Sequence, residues 1–146
     1  MSTLIEQVKS LIAGECDQIA NAANISALLF YSLENVNWVG FYFLQGKELV
    51  VGPFQGTPAC VRIPLGKGVC GTSALQQKTL VVPNVHQFPG HIACDVDSNA
   101  EIVIPLIKNQ HLLGVIDIDS TCFERFSAKD RITLETIAEL YVETLK

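Results

Sequence analysis

Two apolar runs at 102–108 and 112–119 flank Asn109-Gln110-His111, and no other feature of the sequence limits the fold as much. So short a connection joins an antiparallel pair, because parallel strands need a crossover of about a dozen residues or more. Side chains alternate along a strand, so Asp117 and Asp119 project from one face together with Val115. Two carboxylates on a strand otherwise suited to burial are costly unless they bind something. A second hairpin is expected from 38–44 through Gln45-Gly46-Lys47 into 48–54, all aromatic and β-branched in character. Here Val39, Phe41 and Phe43 share one face and Trp38, Tyr42 and Leu44 the other. Both faces are apolar, so each is covered or lines something.

Helical periodicity surrounds these strands. Leu4, Ile5, Val8, Leu11 and Ile12 mark one face of a helix that Gly14 ends. The run 17–34, with Ile19, Ala22, Ile25, Leu28, Leu29 and Leu33, is apolar around much of its circumference and predicts a well-buried helix. Ser127 with Asp130 forms a capping box for a last helix reaching Thr144, with Ile132, Ile137, Ala138, Leu140 and Tyr141 as its apolar stripe. The order ααβββαβββα, with hairpins in place of crossovers, predicts an α+β fold: a central antiparallel sheet, helices packed on one face and a loop-covered pocket on the other. The hexapeptide Gly66-Lys67-Gly68-Val69-Cys70-Gly71 spells a dinucleotide-binding pattern but lacks its context. Pro64 interrupts the approach, and no acidic residue follows at the required distance of about 20 positions. The glycines instead predict a tight turn into a short helix over 72–77, with Cys70 near its positive end.

A chain of 146 residues is expected to form one domain over 1–146 with a core large enough to dispense with disulfide staples. Ten scattered Lys and Arg against a net charge of −5 exclude the basic stripe that nucleic acid requires. No apolar run approaches the roughly 20 residues that span a bilayer, and the N-terminal pattern is amphipathic, so a cytoplasmic protein is expected. Five cysteines, at 16, 60, 70, 94 and 122, are then reactive or buried thiols rather than a structural framework. None makes a CxxC pair, and His86, His91 and Cys94 have no second pair of soft ligands at zinc spacing, so no metal is expected.

The chemistry concentrates between Val81 and Pro105. About twenty residues rich in Pro, Gly, His and Asp separate two strand-like pieces, and a long polar loop in a small domain is usually functional. Cys94 lies within it, beside His91, Asp95 and Asp97, with Glu101 leading into the next strand. Cys94 is the candidate nucleophile. Cys16 and Cys122 read as incidental, and His86 and His91 as loop-stabilising hydrogen bonders.

The segments Trp-Val-Gly-Phe-Tyr (38–42), Gly-Lys-Gly-Val-Cys-Gly-Thr (66–72), Phe-Pro-Gly-His-Ile-Ala-Cys-Asp (88–95), Glu-Ile-Val-Ile-Pro (101–105) and Leu-Gly-Val-Ile-Asp-Ile-Asp-Ser (113–120) resemble the free methionine-(R)-sulfoxide reductases, stand-alone GAF domains. The resemblance covers nearly the whole chain and includes the three-cysteine pattern at 60, 70 and 94 that ligand-sensing GAF domains lack. It implies Cys94 as catalytic nucleophile and Cys70 and Cys60 as candidate resolving thiols. Glu101, Asp117 and Asp119 are implied as pocket carboxylates, Glu101 and Asp119 taking part in catalysis, and Trp38 and Tyr42 as aromatic walls. Ala100 departs from the family's Ser at that place and removes a secondary hydrogen bond. No cofactor is implied beyond an external thioredoxin-type dithiol. Free methionine-(R)-sulfoxide and thioredoxin are the implied partners, and a homodimer is left open.

These residues suit the reaction. A sulfoxide oxygen leaves only when protonated, so the site needs a thiolate on one side and a proton donor on the other. Crowded, buried carboxylates do not all stay ionised; one is left neutral as the acid while another pairs with the substrate ammonium. Between the candidate resolving thiols, Cys70 is slightly preferred, since a helix N-terminus lowers a thiol's pKa. The competing readings are a small-ligand-binding GAF sensor with passive cysteines and a regulatory thiol protein without turnover.

Overall fold

A computed structural model describes residues 3–91 and 97–146. The chain opens with helices α1 (Thr3–Ile12) and α2 (Gln18–Ser32) and continues through strands β1 (Val36–Gln45), β2 (Glu48–Gly56) and β3 (Arg62–Pro64). Helix α3 (Gly68–Gln76), strand β4 (Leu80–Val82) and a 3-10 turn at Val85–Gln87 follow. Strands β5 (Ala100–Lys108) and β6 (His111–Ser120) and helix α4 (Ala128–Thr144) complete the order that the sequence predicts. The six strands lie in the order β3-β2-β1-β6-β5-β4, every neighbouring pair antiparallel.

The two long hairpins form this sheet by docking along β1 and β6. At the β5–β6 turn, Lys108 already pairs with His111, leaving Asn109 and Gln110 as a two-residue connection with φ of 50° and 67°. Positive φ at both positions matches the twist of the strands, and Asn adopts it readily. His111 therefore begins the strand rather than ending the turn.

Helices α1, α2 and α4 cover one face. Val39, Phe41, Ile102, Ile104, Leu106, Ile116 and Ile118 point into that layer and are almost fully buried. The capping box on α4 is complete: the Asp130 amide donates to Ser127 Oγ at 3.1 Å, and the Ser127 amide to Asp130 Oδ2 at 2.9 Å. Its buried stripe differs from expectation. Leu134, Ile137, Ala138 and Tyr141 face the sheet at helical spacing, whereas Ile132, two positions before Leu134, falls on the opposite side and is 65% exposed. Helix α2 likewise buries Ala22, Ile25 and Leu29 but leaves Ile19 exposed, so it packs by a stripe rather than all round.

Helix α3 begins at Gly68, four residues earlier than the sequence suggests, and lies on the other face of the sheet among Trp38, Tyr42, Val103 and Val115. Gly66 and Gly68 make the turn at φ of 84° and 62°. Gly71 lets the helix rest on β3, since a Cβ there would lie 2.4 Å from the Pro64 carbonyl oxygen. The glycine-rich hexapeptide thus serves a turn and a close contact, and it precedes no βαβ unit.

Candidate functional site

The pairing register assembles the site. On the face opposite the three long helices, Asp119 sits between Glu101 of β5 and Trp38 of β1, and Asp117 between Val103 and Gly40. Val115 comes next, between Pro105 and Tyr42. Alternation therefore places three carboxylates and two aromatic rings on one patch, and they line a single pocket together with Cys70, Lys67, His91 and Ser98.

The aromatic wall is fixed on both sides. Trp38 stacks on Phe54 with centroids 5.2 Å apart and planes 18° from parallel, and its Nε1 donates to the Thr57 carbonyl at 3.0 Å. Its ring lies across Gly40, where an added Cβ would stand 2.5 Å from Cη2 of the indole and 2.4 Å from Phe54 Cβ. Gly40 is required for that close approach. Tyr42, 5.9 Å from Trp38 by centroids, donates its hydroxyl to the Cys60 carbonyl at 3.1 Å. Tyr42 thus both walls the pocket and holds the segment that carries Cys60.

The polar floor is buried and acidic. Cys70 Sγ stands 3.8 Å from Glu101 Oε2. His91 Nε2 is 3.9 Å from Glu101 Oε1, and burial together with the neighbouring His86 pushes the His91 pKa down. At neutral pH this contact is therefore between a neutral imidazole and the carboxyl group, not an ion pair. Burial, and then the charges of Asp117 and Asp119, push the Glu101 carboxyl well above its ordinary value. Asp117 is also raised by burial, with its polar neighbours Glu101, Cys70 and Asp119 pulling it part of the way back. Its Oδ1 is buried and accepts no hydrogen bond among the described residues. An orphaned buried acceptor at the bottom of a pocket is a place for a donor from a ligand.

The cysteines divide sharply. Cys60 is disulfide-bonded, Cys70 is a buried free thiol, and Cys16 and Cys122 are free and exposed away from the pocket. The lowered pKa expected for Cys70 is reversed: burial first, and then Asp117 and Glu101, push its thiol well above the ordinary value. Helix α3 does present its N-terminus to Cys70, but desolvation and nearby carboxylates outweigh a partial positive charge. Cys94, the candidate nucleophile, lies outside the described residues.

Trp38, Tyr42, Cys70, Glu101, Asp117 and Asp119 thus meet around one pocket. His86 stays out of it, its Nε2 2.8 Å from Asn99 Oδ1 in the loop-stabilising role expected. Sequence reasoning passes over Ser98, Asn37 and Gly40. Ser98 is buried in the pocket wall and accepts from Asn37 Nδ2 at 3.1 Å. Its position three residues before Glu101 was the available signal.

The GAF domain pattern matches residues 7–144. The chain is 51% identical over 132 residues to the free methionine-R-sulfoxide reductase of Escherichia coli strain K12, covering 90% of this chain and 80% of that protein. It superposes on the fRMsr of Staphylococcus aureus in complex with substrate with a TM-score of 0.95 at 49% identity, covering 99% of this chain and 95% of that one. The free methionine-R-sulfoxide reductase of Neisseria meningitidis, also solved with its substrate, superposes with a TM-score of 0.93 at 40% identity, covering 97% and 85%.

Proposed function

The chain belongs to the GAF-domain free methionine-R-sulfoxide reductases, and from that premise we propose how its own residues reduce free L-methionine (R)-sulfoxide. The observation that carries the reading is the pairing of a buried triple-carboxylate floor with an aromatic wall tied to a disulfide-bonded cysteine. The rings of Trp38 and Tyr42 receive the S-methyl end, and Asp117, whose Oδ1 has no hydrogen-bond partner among the described residues, receives the ammonium group. Glu101, kept protonated by burial and by its acidic neighbours, gives its proton to the sulfoxide oxygen, with Asp119 beside it in register. Cys94 as thiolate attacks sulfur. Methionine departs, the oxygen stays on Cys94 as sulfenic acid, and a second thiol displaces it as water to form a disulfide.

Cys60 is the better candidate for that second thiol. It is the cysteine found oxidised, whereas Cys70 is free with its ionisation suppressed, which weighs against the preference drawn from sequence. A dithiol protein of the thioredoxin type then reduces the disulfide, and no bound cofactor takes part. Among the described residues no helix is long and apolar enough to cross a membrane, and reactive free thiols suit the reducing cytoplasm as the place of the reaction. A sensor that only binds a ligand would have no use for a redox-active cysteine tied to the pocket wall. The test is to mix protein and dithiothreitol with the separated R and S epimers of free methionine sulfoxide and measure methionine. Release from the R epimer alone is expected; none from either epimer would reject the reading.

A further inference from the structure

The pocket floor holds a second set of possible contacts. Cys70 Sγ, one Glu101 oxygen and one Asp117 oxygen all lie within 4.8 Å of one another, and all three side chains are buried. Around a tetrahedral zinc ion, at about 2.3 Å to sulfur and 2.0–2.2 Å to oxygen, ligand atoms stand about 3.3–3.7 Å apart, so side-chain shifts of about 1 Å complete the set. Asp117 supplies the independent sign that something belongs there. It is 6% exposed, lines the pocket, and its Oδ1 has no hydrogen-bond partner among the described residues. A thiol with two carboxylates is a donor set for a borderline divalent ion rather than for magnesium or calcium, which take oxygen alone.

We propose that Cys70, Glu101 and Asp117 bind a divalent cation of the zinc type, and that the bound ion shuts methionine sulfoxide out of the pocket. Binding involves no electron transfer: the Cys70 S–H and Glu101 O–H bonds break, a sulfur–metal and two oxygen–metal bonds form, and both protons leave to solvent. Such a device makes zinc a reversible brake on the reductase. That regulatory consequence, though not the binding, rests on this pocket being the seat of the substrate.

The experiment uses Co²⁺ and Zn²⁺ salts on the whole chain, with a phosphine in place of any thiol reductant. Reduced wild-type protein is expected to give a thiolate-to-cobalt charge-transfer absorption that one equivalent of Zn²⁺ abolishes. A chain in which Cys16, Cys60, Cys94 and Cys122 are all changed to Ser, checked for native circular dichroism, should keep that absorption. Cys70→Ser should lose it, and Asp117→Asn should weaken cobalt binding at least about tenfold, the lower edge of what even a supporting residue costs a metal site. No absorption in the wild type overturns the proposal, as does an absorption that survives Cys70→Ser. If the four-serine chain does not fold, the wild type and the two single variants decide the matter. Free methionine sulfoxide should raise the apparent Kd for Zn²⁺. Zinc binding that methionine sulfoxide leaves unchanged would support the metal site while removing this pocket as the substrate's seat.

Discussion

The two faces of the sheet are made by the same strands and obey opposite rules. On β6, Ile116 and Ile118 enter the layer under α1, α2 and α4, while Val115, Asp117 and Asp119, interleaved with them, face the pocket. On β5, Ile102, Ile104 and Leu106 go one way and Glu101 the other. The helix-covered face is mostly apolar, and each large apolar side chain buried there contributes roughly 1.5–3 kcal/mol. The pocket face buries carboxyl groups whose charge desolvation opposes, and at Glu101 the charges of Asp117 and Asp119 oppose it as well. One face holds the molecule together, and the other gives up part of that stability to bury Glu101 and Asp117 at a pocket, where both carboxyl groups are pushed above their ordinary pKa. Changes on the first face should move stability and leave the chemistry intact, and changes on the second should do the reverse.

The largest effect belongs to the thiol. Cys94→Ser is expected to abolish methionine release even in a single turnover, a loss of at least about 10³-fold, since a hydroxyl is a far weaker nucleophile toward sulfoxide sulfur. Rapid-quench assay for one methionine per enzyme checks this, and a full burst would transfer the nucleophile to Cys60 or Cys70. On the opposite face, Phe41→Ala removes a fully buried ring packed 4.8 Å from Tyr141 and should cost about 3–5 kcal/mol in denaturant unfolding. Activity per folded molecule should stay near the wild-type level. A collapse of activity at unchanged stability would show that the two faces are not separable.

Gly40→Ala tests the comparison from within the site. The new methyl group cannot coexist with the indole of Trp38 or with Phe54, so the aromatic wall must shift. We expect KM for free methionine sulfoxide to rise about tenfold or more, with a stability loss of about 1–3 kcal/mol from overpacking. An unchanged KM would mean that Trp38 does not contact the substrate.

This contrast also sets what could be read in advance. Period-two alternation and the two short turns carried the element order, the antiparallel hairpins, the shared face of Asp117 and Asp119 and, separately, that of Trp38 and Tyr42, because each depends on local geometry, whereas the placing of all four around one pocket came from the resemblance. What escaped depends on contacts distant in sequence. Ile132 satisfied the helical period, but where the helix rests on the sheet decided that Leu134 is buried instead. The depressed thiol pKa expected at Cys70 followed from its own helix alone, whereas the groups that reverse it, Asp117 and Glu101, come from β6 and β5. The need for Gly40 arose from a ring two residues away that folds back over it, which no composition rule signals.

The smallest effect sharpens the comparison most. Glu101 in the folded protein holds its proton to a higher pH than in the unfolded chain, where a glutamate titrates near about 4.3. Between those two values the folded state binds more protons than the unfolded state, so this group makes stability fall as pH rises. Below the unfolded value both states are protonated and the group contributes no such loss. Glu101→Gln keeps the shape of the protonated acid and removes its titration. The variant should therefore match the wild type near pH 4 and exceed it at pH 8 by about 1–2 kcal/mol, within the range of single stabilising substitutions at functional sites. Its reductase activity should fall sharply over the same pH range, because the amide has no proton to give to the sulfoxide oxygen. Urea unfolding of both proteins at pH 4, 6 and 8 provides the measurement. A variant less stable than the wild type at pH 8 would mean that the Glu101 carboxylate is stabilised by its surroundings, and that the pocket face does not carry the cost assigned to it here.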